Sequence, residues 1–229
     1  MALALAALLA GATPCAAEDK ERGPCTEDAM LVFDASGSMA GNERLGIATQ
    51  DVTRIDKVRS ALAKVLPSVT RVRRVGLITY GPGPYQQCNV HLSFEPKPDA
   101  AALIMSEVNR LVPAGKTPLS AAVDQAADVL DYTKKPAVIV VVTDGEETCG
   151  GAPCDLGKWL HAKAAQLTVH VIGYRVKDFS WTGEQSILDV KCLAEANGGL
   201  YITAESEEEL VEALEKTLGC PMLSRLEDQ

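Results

Sequence analysis

Asp34-Ala35-Ser36-Gly37-Ser38 places one carboxylate and two hydroxyls on alternate residues. Side chains two apart leave an extended backbone on the same side, and Gly37 permits the tight path that turns both hydroxyls toward one point. Hard oxygen donors of this kind suit Mg2+, Mn2+ or Ca2+. Alone, the five residues would serve equally well as a turn or a helix N-cap. Two distant segments change that balance. Thr143-Asp144-Gly145 ends another apolar run in a carboxylate, and Gly115-Lys116-Thr117-Pro118-Leu119 sets a hydroxyl in a loop that feeds a helix. The candidate metal-ligating set is therefore Asp34, Ser36, Ser38, Thr117 and Asp144, provided that the fold carries all three segments to one place.

Hydropathy patterning predicts that it does. Apolar runs at 29–34, 75–80, 137–143 and 167–174 are of the length and composition of buried parallel strands. Between them, apolar residues three to four apart predict helices over 55–66, 100–111, 119–132, 155–166 and 185–196. The segment 89–94 follows 75–80 across Gly81-Pro82-Gly83-Pro84, too short a link for a parallel crossover, so it is expected as an antiparallel edge strand. A last strand is expected at 199–203, and a closing helix over 205–218, where Glu207, Glu208 and Glu209 favour the positive end of the helix dipole. The fold class is thus α/β, a doubly wound, mostly parallel six-stranded sheet with one antiparallel edge strand. Such sheets bind ligands at the carboxyl ends of their strands, and Asp34, Asp144 and the Thr117 loop all fall at that edge.

With those residues in place, the chain resembles the von Willebrand factor type A domain family, whose metal-ion-dependent adhesion site is Asp-x-Ser-x-Ser with a distant Thr and Asp. The resemblance runs from about residue 27 to 219 and looks closest to bacterial exported members with a cysteine-bearing loop after the Thr-Asp-Gly strand. It implies that Ser36 and Ser38 ligate a divalent cation directly, Mg2+ first among the candidates. Thr117 would do so directly or through water according to state, and Asp34 and Asp144 largely through water. It further implies that a partner protein fills the open coordination position with an Asp or Glu side chain. The expected function is a metal-dependent, adhesion-type protein-binding module without enzyme activity. One departure is the long segment 42–54 before the first helix, which bears on partner specificity.

Residues 2–13 form an apolar run too short to span a membrane, followed by small residues at Cys15 and Ala17 and then by Glu18-Asp19-Lys20. This predicts a signal peptide over 1–17, an extension over 18–26, the domain over 27–219 and a tail over 220–229, in a periplasmic or secreted protein soluble after cleavage. Six cysteines remain beyond the leader, an even set that predicts disulfides in an exported chain. Cys25 precedes the first strand and Cys220 follows the last helix, so that pair would tie the termini. Topology then favours Cys88–Cys149 and Cys154–Cys192, with a local Cys149–Cys154 loop as the alternative. A Cys25–Cys220 tether would restrain the last helix, whose shift accompanies regulated affinity in the family, and so would hold the site in one state.

The net charge of −9 opposes a nucleic-acid partner. Only Arg71, Arg73 and Arg74 cluster, and they are expected in a solvated turn. His91, His161 and His170 are scattered over three elements and form no triad. A metal-assisted hydrolase would need a placed base, for which Glu146 and Glu147 are the candidates, and Ser36 or Ser38 as nucleophile. The other alternative is a structural envelope protein stapled by disulfides.

Overall fold

The computed structural model describes residues 27–43, 52–175 and 184–219. The expected leader, the 18–26 extension, the 220–229 tail and the Cys25–Cys220 pair lie outside them. In chain order the first elements are β1 (Asp28–Asp34), a 3-10 turn (Gly37–Ala40), β2 (Asn42–Glu43), β3 (Val52–Thr53), α1 (Arg54–Val69), β4 (Val75–Tyr80) and β5 (Val90–Lys97). There follow α2 (Ala101–Arg110), α3 (Leu119–Val129), β6 (Pro136–Thr143), α4 (Pro153–Lys163), β7 (Gln166–Tyr174), α5 (Glu184–Ala196), β8 (Tyr201–Ala204) and α6 (Glu207–Leu218).

The main sheet has the order β5-β4-β1-β6-β7-β8, with β5 antiparallel at one edge and the other five strands parallel. β1 and β6 sit in the middle and are buried on both faces, which is why their sequences are unbroken apolar runs. Alternate residues of β1 serve opposite sides of the sheet. Ala29, Leu31 and Phe33 pack with α1, α2 and α6, whereas Met30 and Val32 pack with α3, α4 and α5. Each fully buried Leu, Val or Phe contributes roughly 1.5–3 kcal/mol, so this two-faced core holds the strand ends that carry the site.

Local signals explain the helix starts. Thr53 caps α1 in a reciprocal box with Asp56, and Ser206 caps α6 by accepting from the Glu209 amide. That cap delays the closing helix to Glu207, two residues later than hydropathy suggests. α6 is clasped to α1 by Glu207, whose carboxylate accepts from Ser60 at 2.6 Å and pairs with Lys64 at 2.6 Å and Lys57 at 3.3 Å. Hydrogen bonds from Lys64 and Ser60 hold it down at about 2. Arg73 departs from the expected solvated turn. It is buried, donates to the Leu218 carbonyl at 2.9 Å and lies 3.6 Å from Glu27, so it anchors the end of α6. His170 is a satisfied strand residue that accepts from the Leu200 amide, and burial depresses it to about 4.

Cys154 on α4 is bonded to Cys192 on α5, and Cys88 before β5 to Cys149 after β6. α4 and α5 are also close at Gly157, where a Cβ would meet the Leu193 backbone at 2.9 Å. The double substitution Cys154→Ser with Cys192→Ser opens a closure of 38 residues. Loop entropy sets the loss at about 4 kcal/mol, a fall in melting temperature of roughly 8–16 °C. Calorimetry of the oxidised parent and the variant checks this, and a fall under about 3 °C would show the α4–α5 packing to be sufficient alone.

Candidate functional site

The site lies where β1 and β6 end at the carboxyl edge of the sheet. Asp34 closes β1 opposite Tyr80 on β4, and Thr143 closes β6 on the neighbouring strand. Strand alternation points Asp34 and Thr143 to the same face, and the Thr143 hydroxyl donates to Asp34 Oδ2 at 2.7 Å. The other carboxylate oxygen accepts from the Ser36 amide at 2.7 Å. Asp34 and Asp144 are both fully buried.

The chain after Asp34 turns through the 3-10 segment, bringing Ser36 Oγ to 3.0 Å from Ser38 Oγ. Ser38 Oγ in turn donates to Asp144 Oδ1 at 2.6 Å. Thr117 arrives on the loop before α3. A Cβ built on Gly145 would lie 3.5 Å from Ser38 Oγ and 4.0 Å from Thr117 Oγ1, so both hydroxyls crowd the backbone just beyond Asp144. All five residues singled out by their spacing are therefore gathered at one edge of the sheet.

Backbone contacts hold the loops around them. Gly37 N–H donates to the Gly115 carbonyl at 2.9 Å, and Gly115 N–H to the Gly81 carbonyl at 2.8 Å. Gly81 takes a φ of +73°, open to glycine at little cost, and a Cβ added there would lie 2.7 Å from Ser36 Cα. Thr117 and Thr148 clasp each other: the Thr117 amide donates to Thr148 Oγ1 and the Thr148 amide to the Thr117 carbonyl. The Cys88–Cys149 bond ties the loop after β6 to the loop before β5. Glu147 accepts from the amides of Ser120 and Cys149 at 2.8 and 2.7 Å. A carboxylate so engaged positions the loop rather than facing solvent as a base.

Electrostatically the site is strained. Burial, and then the Asp144 charge, push Asp34 up to about 6 from an ordinary 3.8. Asp144 is also raised by burial, against hydrogen bonds from Ser38 and Arg54. Tyr80, fully buried beside them, is driven well up by burial and the Asp34 charge. Asp144 Oδ2 accepts from Arg54 Nη1 at 2.9 Å, an ion pair with no counterpart in the sequence reading. Arg54 opens α1, 90 residues away from Asp144; a charged residue at a helix start carries no signal of that destination. Thr143, by contrast, is set beside Asp34 by the parallel β1–β6 register, which pairs Phe33 with Val142.

Asp34, Ser36, Ser38, Thr117 and Asp144 could hold a hard divalent cation, being oxygen donors throughout, with two buried negative charges against the single positive charge of Arg54. Among the described residues, no helix is long and apolar enough to cross a membrane.

Known proteins resemble this chain over most of its length. It is 29% identical over 220 residues to the uncharacterized protein YwmD of Bacillus subtilis (strain 168), covering 90% of this chain and 89% of that one. Its likeness to YwmC of the same organism is 28% over 193 residues, 79% and 78% of the two chains. The von Willebrand factor domain of the type V pili tip protein Mfa5 from Porphyromonas gingivalis superposes with a TM-score of 0.60 at 14% identity, covering 86% of this chain and 95% of that one. The pilus adhesin SpaC from Lactobacillus rhamnosus GG, in its open conformation, gives 0.64 at 15% identity over 85% of this chain and 30% of its own. The family model for the von Willebrand factor type A domain matches residues 29–147. The chain belongs to the von Willebrand factor type A domain family.

Proposed function

We propose that this protein is an exported, metal-dependent protein-binding module that captures an Asp or Glu side chain of a partner protein. The observation that carries the reading is the fully buried pair Asp34 and Asp144, with Ser36 and Ser38 hydroxyls 3.0 Å apart beside it. Two buried like charges are costly unless a cation balances them. Mg2+ is the leading candidate, with Mn2+ and Ca2+ as alternatives, held by Asp34, Ser36, Ser38, Thr117 and Asp144. When bound, such an ion supplies an electrophilic position that welcomes an external carboxylate.

The chain's own groups do the rest. Thr143 and the Ser36 amide fix the orientation of Asp34, while Glu147 and Thr148 set the Thr117 loop. The neighbouring rim offers a partner apolar surface: Tyr85 and Val112 are 76% and 70% exposed, on loops joined by the Gly83 amide and the Val112 carbonyl. An adhesive use and a periplasmic or secreted location fit the Cys88–Cys149 and Cys154–Cys192 bonds and the fold shared with the pilus tip protein Mfa5 and the pilus adhesin SpaC. Binding rather than catalysis is favoured because Glu147 is engaged by two amides, leaving Glu146 as the loop carboxylate to test in turnover assays.

The competing reading, a structural protein stapled by disulfides, is favoured by the Arg54–Asp144 pair, which gives one carboxylate a cation from within the chain. Calorimetric titration of chelator-stripped protein with Mg2+, Mn2+ and Ca2+ separates the two. Saturable binding is expected in the wild type, lost in Asp34→Ala and weakened about tenfold or more in Thr117→Ala. Absence of binding in the wild type and in any charge-neutral variant of Arg54 would leave the structural reading standing.

A further inference from the structure

Arg54 sits where helix energetics disfavours it. It is the first residue of α1, at the positive end of the helix dipole, where acidic side chains are preferred. Its guanidinium instead runs back over Gly41: a Cβ there would lie 3.5 Å from Cζ and 3.6 Å from Nε of Arg54. The Arg54 amide donates to the Gly41 carbonyl at 3.1 Å, and the Gly41 amide to the Ser38 carbonyl at 2.8 Å. The start of α1, the 3-10 turn and the Asp144 carboxylate are thus joined through this one residue. Asp144 has both oxygens engaged from within the chain, Oδ1 by Ser38 and Oδ2 by Arg54. The Arg54 side chain is only 13% exposed and that of Asp144 fully buried.

We propose that Arg54 is a tethered cation that competes with the divalent ion for Asp144, so that the site loads only when the guanidinium withdraws. This rests on the metal-binding reading above. Charge balance drives the exchange. Asp34 and Asp144 with Arg54 sum to −1; adding a divalent ion with Arg54 in place gives +1, and withdrawing Arg54 brings the site to zero. Neutrality favours replacement over coexistence in a buried setting. Arg54 therefore sets the metal concentration at which the protein becomes competent to bind. Its withdrawal is felt first at Gly41 and the start of α1, which Asn42 and Thr53 bracket through the β2–β3 pairing.

The test is titration of the full chain with Mn2+ alone, by calorimetry, in wild type, Arg54→Met, Arg54→Gln and Arg54→Lys. Both neutral variants are expected to bind Mn2+ about 10- to 100-fold more tightly than wild type, the scale on which neighbours of metal ligands tune affinity. Arg54→Lys keeps the charge and should stay within about threefold of wild type. Thermal melting without metal gives a second readout. The neutral variants should melt lower than wild type, because Asp144 loses its cationic partner, and should recover more on adding Mn2+. Tight binding in the neutral variants with none in the wild type would also support the proposal. Wild-type binding that is abolished by Asp34→Ala but unchanged or weaker in both neutral variants would overturn it while leaving the metal site intact. Binding in none of the four proteins would overturn the proposal and the metal reading together.

Discussion

Asp34→Asn is expected to abolish binding of divalent cations and, in the same molecule, to raise the melting temperature measured without metal. Asp34 is fully buried, and burial followed by the Asp144 charge pushes its carboxyl up to about 6. The amide keeps the size of the group and removes the charge. Its oxygen can still accept from the Ser36 amide, and Thr143 Oγ1 can turn to donate to the Gly145 carbonyl 3.1 Å away. Relief of one buried like charge should yield about 1–2 kcal/mol of metal-free stability, or roughly 2–8 °C, with cation affinity down about 100-fold or more. The pH dependence has a definite sign. The unfolded chain releases the Asp34 proton near 3.8 and the folded chain near 6, so the native state holds more protons between those values. Stability from this group is therefore greatest below pH 3.8 and falls as pH rises to 6. The stability advantage of the variant should accordingly grow between pH 4 and 6 and level off above, as read by melting in chelator. An advantage that stays flat across that range, or retained Mn2+ binding, would remove Asp34 from the role assigned to it.

Gly81→Ala should be among the most damaging single-methyl changes in the protein. Gly81 has a φ of +73°, and the added Cβ would lie 2.7 Å from the Lys116 carbonyl oxygen and Ser36 Cα and 2.8 Å from Ser36 N. Every one of these neighbours is backbone, so no side chain can rotate away. Strain and overlap together should cost about 3–5 kcal/mol. Because Ser36 is the residue displaced, cation affinity should fall with stability. Gly150→Ala supplies the control: its φ is +83° but nothing lies within 4 Å of the new methyl, so only the backbone penalty of about 1 kcal/mol applies. Denaturant melts and Mn2+ titrations of both variants separate the two costs. Equal losses in the two would show that the Gly81–Ser36 approach is not what holds the site.

Much of this arrangement was legible in the residues because the relevant signals are local or periodic. Unbroken apolar runs marked β1, β4, β6 and β7, and the short Gly-Pro link set β5 antiparallel at the edge. The gathering of Asp34, Ser36, Ser38, Thr117 and Asp144 followed from one rule, that ligand groups of a wound sheet collect at its carboxyl edge. What escaped were contacts with no periodic signature. Arg54 reaches a carboxylate 90 positions away, and Arg73, expected in solvent, turns inward to the end of α6. The 42–54 segment, whose length alone stands out in the sequence and whose expected bearing is on partner specificity, contributes the β2–β3 pairing that brackets the start of α1. Long flexible cations choose partners by tertiary geometry, which neither hydropathy nor spacing encodes.

The Cys88–Cys149 bond has a mechanical consequence for a chain under tension. Its cysteines are 61 positions apart, and the segment between them includes β5, α2, α3 and the central strand β6. Fully extended, those residues would span about 200 Å, none of which can be paid out while the bond is intact. The 38-position separation of Cys154 and Cys192 withholds a further ~130 Å. A stretched molecule can therefore lengthen through β1, α1, β4, β8 or α6 but not through β5, β6 or β7, so these two covalent links cap how far the domain extends before it transmits the full load to whatever it holds.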